Sequence, residues 1–205
     1  MWPMCAGCRT GEHRNMNTRR EWLIAAGLIV LALIPSLAGA VRVGEIAADA
    51  PVTSADARFM EMPLPVVVHV VGALVYALVG AFQFLPALRR RHLGWHRFAG
   101  RYVLVPAGLA VALSGLWMTA FYDVPPIDGL ALQISRYIVG VLMAAFIVLA
   151  LVSVARRDIP QHGAWMIRAY ALAMGAGTQV LTSAPFAILF GTDSKYARAH
   201  RPHVL

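Results

Sequence analysis

Five stretches of this chain carry no Asp, Glu, Lys or Arg: residues 22–41, 64–88, 102–122, 137–155 and 169–190. Each runs for 19 to 25 residues. About 20 apolar residues in a helix cross the hydrocarbon core of a bilayer. Backbone groups in lipid find no water, so a segment of that kind must satisfy its own hydrogen bonds as a helix. The fold class that follows is all-α: an integral membrane helical bundle with five transmembrane helices, or four if the first is a cleaved signal. Charge content agrees, at 14% against about 25% in soluble domains.

The chain divides accordingly. Residues 1–21 read as a polar, irregular cytoplasmic tail, and its Cys5-Ala6-Gly7-Cys8 is a lone CxxC with only His13 near as a further ligand. Residues 22–41 form the first transmembrane helix, bent locally at Pro35. Ala38-Gly39-Ala40 resembles a signal-peptidase site, but the apolar run exceeds the ~7–15 residues of a signal core, which predicts a retained helix. Residues 42–63 are an extracytoplasmic connector, 64–190 a four-helix membrane core and 191–205 a basic tail. Within the core, 89–101 and 156–168 read as basic loops, and the prolines and Asp-Gly of 122–129 as a turn.

Polar and small residues are not scattered in these runs. His69, Gly72, Tyr76, Gly80 and Gln83 fall within about 80° of one another at 100° per residue. Gly108, Ala112, Gly115 and Thr119 make a similar stripe on the third run. Close packing and interhelical hydrogen bonds drive helix association in lipid, so both faces are expected to point into the bundle.

Orientation follows from the basic residues. The N-terminal segment and the 89–101 and 156–168 loops hold 4, 5 and 3 Lys or Arg, whereas 42–63 and 123–136 hold 2 and 1. The positive-inside rule places the N-terminus in the cytoplasm. The same distribution excludes nucleic acid as the partner of the +8 net charge. These arginines flank apolar runs, where the bilayer and its anionic lipids are the natural partners.

Two stretches echo each other at that boundary. Arg89–Tyr102 reads RRRHLGWHRFAGRY and Arg156–Tyr170 reads RRDIPQHGAWMIRAY. HRFAGRY at His96–Tyr102, preceded by Gln83-Phe84, and WMIRAYAL at Trp165–Leu172, preceded by His162, resemble the paired hallmarks of domain-of-unknown-function family 2306, predicted bacterial multi-pass membrane proteins. His69 also fits, and the resemblance covers roughly residues 60–185. It departs at Gly163-Ala164, where basic residues are expected, and at Gln179, where an arginine is expected. The resemblance implies a multi-pass protein of the bacterial inner membrane. It supplies no reaction.

Three readings of function stay open. The leading one is non-enzymatic: a membrane-embedded binding or structural protein with a His/Arg/Trp-rich cytoplasmic rim. Arg89, Arg90, Arg97, Arg101 and Arg168 would hold anionic or lipid head groups there. The first alternative is a b-type haem protein exchanging electrons with quinone, with His96 and His162 as axial ligands. The second is a small permease or sensor built on the intramembrane polar face of His69, Tyr76 and Gln83, because ionisable residues at that depth are rare and often functional. Tyr122 or Thr119 would partner His69 if the role is only structural. His92 and His96 stand i, i+4 apart with Asp158 and His162 to complete a set. Gly94 between them argues against a helix, and no metal site is assigned. No nucleotide loop, catalytic triad or zinc-protease motif is present.

Overall fold

The structure is a computed structural model that describes the backbone of residues 8–48, 57–123 and 129–178. Cys5, residues 49–56 of the 42–63 connector, the prolines near 125, Gln179, the second half of the fifth run and the basic tail lie outside the described residues.

The protein is an all-α membrane bundle, and the described residues contain no strand. The elements are α1 (Cys8–Ala47), α2 (Ala57–Glu61), α3 (Pro63–Gln83), α4 (Pro86–Arg91), α5 (Leu93–Ala99), a π-helical turn (Gly100–Leu104), α6 (Val105–Phe121), α7 (Leu130–Ala155) and α8 (Ile159–Gly177). Among the described residues, four helical stretches are long and apolar enough to cross a membrane: Glu21–Ala47, Pro63–Gln83, Leu93–Phe121 and Leu130–Ala155.

Several boundaries differ from the sequence reading, each for a local reason. The described part of the chain ahead of Trp22 is not irregular: α1 is helical from Cys8. The run 64–88 is not one helix. Pro86 has no N–H and forces the preceding residue out of the helical region, so Leu85 is extended at φ −78°, ψ 106° and α4 starts afresh. Glu21 fastens this start, its carboxylate accepting from the Ala87 N–H at 3.0 Å.

Both basic segments are largely helical, Gly94 and Gly163 included. Residues at the lipid boundary still gain by pairing their backbone groups, which outweighs the roughly 1 kcal/mol propensity cost of a glycine. Between α7 and α8 only a tight turn remains. Arg157 takes the left-handed conformation at φ 63°, the Asp158 carboxylate accepts from the Gln161 N–H at 3.0 Å, and Pro160 lies in the first turn of α8. These are a stop and a start written into three residues.

Pro106 explains the π-helical turn. In a regular helix its ring would clash with the carbonyl four residues back. The widened turn just before it lets the Val105 N–H reach Gly100 O.

Packing proceeds in sequence order: α3 lies against α6, α6 against α7 and α7 against α8, while α1 runs along α3. The core holds Tyr76, Leu104, Ala112, Met143, Ile147, Ala169 and Tyr170. Two glycines set the closest approaches. A Cβ at Gly108 would meet the Tyr76 ring at 2.6 Å, and one at Gly80 would run into the Tyr170 ring. Leu23, Leu64 and Phe121 are among the exposed apolar residues, as lipid contact requires.

Candidate functional site

The small residues that bring α3 onto its neighbours leave a gap elsewhere. Ser36 and Gly39 on α1, Ala73 on α3, Gly115 on α6, Gly140 on α7 and Ala173 on α8 all face a cavity of about 560 Å³. None of them has a side chain large enough to fill it. The mouth lies at the end of the bundle opposite the arginine-rich segments, among Arg42, Phe59, Tyr122, Asp123 and Arg136. Tyr122 is fixed there by its hydroxyl, which donates to Met62 O at 2.6 Å, and by an edge-on contact with Phe59 at 5.5 Å. The Arg42 guanidinium pairs with Glu45 at 2.9 Å and lies 5.1 Å from the Phe59 ring centre.

His69 stands on the cavity wall, six residues into α3. Its partners are not Tyr122 or Thr119. Nδ1 lies 3.1 Å from Val111 O and 3.1 Å from Ser114 Oγ, both on α6. Thr119 instead returns its hydroxyl to Gly115 O within its own helix. Gly115 makes room for the imidazole, because a Cβ there would stand 3.3 Å from Cε1. Ser114 is the residue that sequence reasoning missed. It sits beside the glycine stripe of the third run, and a lone serine in an apolar helix is the one signal that marks it. Carbonyl partners carry no signal at all.

Tyr76 lines the deep end of the same cavity, but its hydroxyl is enclosed and has no hydrogen-bond partner. Gln83, two turns further along α3, is outside the lining. Both polar atoms of its buried amide are also without partners. The structure thus brings His69 and Tyr76 to one cavity and leaves Gln83 at the arginine-rich end.

That end gathers the second set of expected residues. Arg89, His162 and Arg97 are the charged or titratable neighbours that act on His96, so α5 and the start of α8 do bring the two histidines near each other. His96 Nδ1 is enclosed without a partner. His162 Nδ1 donates to Ala150 O at 2.9 Å, which leaves its Nε2 as the free ring nitrogen. Arg89, Arg90, Arg97, Arg101 and Arg168 are all exposed, so Arg101 and Arg168 reach outward and not into the bundle. Arg168 lies 4.6 Å from the Trp165 ring centre, and Trp165 stacks on Phe146 at 5.2 Å. Arg90 approaches Glu21 at 3.7 Å. Among the described residues no group of three His, Cys, Asp or Glu is placed to hold a metal ion.

A family model described as predicted membrane protein, domain-of-unknown-function family 2306, matches residues 66–200. No curated protein and no solved structure matches the chain.

Proposed function

The chain belongs to domain-of-unknown-function family 2306, the predicted membrane proteins, and we propose that within that setting it is a binding protein. Its cavity between α1, α3, α6, α7 and α8 would take a small, largely apolar molecule. The cavity itself is the observation that carries this reading. Its ~560 Å³ lies in the 300–1,000 Å³ range of small-molecule sites, which are mostly apolar with a few fixed polar groups. His69 is such a group, and Arg42, Asp123 and Arg136 supply a polar mouth. Under the positive-inside rule the arginine-rich end is cytoplasmic and the mouth faces the other side of the inner membrane.

Native mass spectrometry of the protein released from lipid nanodiscs tests the reading. The wild type is expected to retain a co-purifying small molecule, and Ala173→Phe, which puts a ring into the cavity, to lose it. Equal retention by both forms would place the molecule elsewhere and remove the proposal.

A second reading belongs to the arginine-rich end. Its exposed arginines, Arg89, Arg90, Arg97, Arg101 and Arg168 among them, support contact with anionic lipid head groups, each worth about 1 kcal/mol near a charged surface. The same end carries the haem alternative, supported by the nearness of His96 and His162. That alternative requires a reduced α-band that both His96→Ala and His162→Ala abolish. The lipid reading requires a featureless spectrum, and binding to anionic vesicles that weakens as salt rises.

A further inference from the structure

We infer that His69 reads the ligand of the cavity, and that this ligand is an uncharged aromatic alcohol. The inference rests on the cavity reading and narrows it to a chemical class.

The argument begins with the proton on the ring. Val111 O is an acceptor only, and it lies 3.1 Å from His69 Nδ1. Nδ1 therefore carries the N–H. Ser114 does not change this, because its own hydroxyl donates back to Ala110 O and leaves its oxygen to accept at 3.1 Å from Nδ1. A neutral imidazole with its proton on Nδ1 has a bare lone pair on Nε2. Among the described residues Nε2 has no protein partner, and it is not one of the sealed, unpartnered atoms. His69 lines the cavity, so Nε2 opens on it as an acceptor.

An acceptor calls for a donor on the ligand. The charge balance of the deep cavity says the donor is neutral. Lys, Glu and Asp are absent from the lining below the mouth, and a cationic head group there would lack a counter-ion. A hydroxyl meets the condition. Met118, Met143 and Met174 line the same space, and thioethers make favourable contacts with aromatic rings. A phenol or quinol ring seated among these methionines, with its O–H on His69 Nε2, satisfies both features. The site thus reads one donor and one ring.

The test compares 4-hexylphenol with its methyl ether, 4-hexylanisole, which has the same ring and chain but no O–H. Each displaces a bound apolar dye from the full-length protein in nanodiscs, with concentrations corrected for partition into lipid. The phenol is expected to bind about tenfold more tightly to the wild type, one neutral hydrogen bond's worth. His69→Phe should bring the two probes within about twofold, and His69→Gln, which keeps an acceptor, should retain part of the preference. Equal binding of the two probes to the wild type overturns the inference, and so does a preference that survives His69→Phe. Should His69→Phe not fold, the 15N signal of His69 Nε2 in the wild type decides: it moves with the phenol and not with the ether, or the inference fails. If neither probe displaces the dye and Ala173→Phe leaves dye binding unchanged, the cavity reading itself falls. Displacement by both probes alike overturns only the assignment of the alcohol.

Discussion

At the scale of single residues, two tyrosines on one interface make opposite predictions. The Tyr170 hydroxyl donates to Ala77 O at 2.7 Å, whereas the enclosed Tyr76 hydroxyl has no partner. Tyr170→Phe should lower stability by about 1 kcal/mol, the net worth of a hydrogen bond. Tyr76→Phe removes an unsatisfied buried group and should be neutral or stabilising by about 1 kcal/mol. Thermal unfolding of the two variants side by side in one detergent checks both signs. Gly108→Leu would drive a side chain into the Tyr76 ring and the Ile147 side chain and should cost about 3 kcal/mol or more. The face holding His69, Gly72, Tyr76, Gly80 and Gln83 could be read at this scale, since helical period alone groups those residues. The hold on His69 could not, because one of its two partners is a backbone carbonyl, identical at every position of every helix.

At the scale of elements, the turn between α7 and α8 is the sharpest case. Arg157 sits at φ 63°, which costs an L-residue roughly 1–2 kcal/mol. Glycine relieves that strain but loses more freedom on folding. Arg157→Gly should therefore stabilise by about 0.5 kcal/mol. Asp158→Ala removes the cap on Gln161 N–H and should destabilise by about 1 kcal/mol. Chemical denaturation midpoints of the pair give the comparison. Run length made some boundaries legible: the apolar run that begins at residue 64 places the start of α3, which opens on Pro63. The helical course of the basic segments was not legible, because glycine content argues for loops and only the scarcity of water at the lipid boundary reverses that. The π-helical turn before Pro106 was not legible either, because a proline in a membrane helix has several remedies and the sequence does not choose among them.

At the scale of the whole molecule, α3 is long and apolar enough to put its two ends on opposite sides of a membrane, and the positive-inside rule puts its arginine-rich end in the cytoplasm. The natural cysteines are Cys5 and Cys8 only, so a Cys-free background is simple to make. Arg90→Cys and Asp123→Cys in that background should react with an impermeant maleimide from opposite faces of right-side-out vesicles, only Asp123→Cys labelling from outside. The bundle class was legible from apolar run length. The cavity was not, since it arises where five helices each present small residues, and no one run contains that fact. Its walls are unequal. The helices α3, α6, α7 and α8 form a continuous packed series, whereas α1 rests chiefly on α3 with lesser contacts to α8 and α4. Hydrogen exchange should reveal two tiers, with the amides of α1 opening at lower free energy than those of α6 and α7. Any molecule held between α1 and the rest spans the weaker joint. At a hundred times its dissociation constant it would add about 2.7 kcal/mol of protection, and most of that slowing should appear in the exchange of α1. An occupant of this cavity would thus double as a fastener, holding in place the helix that guards it.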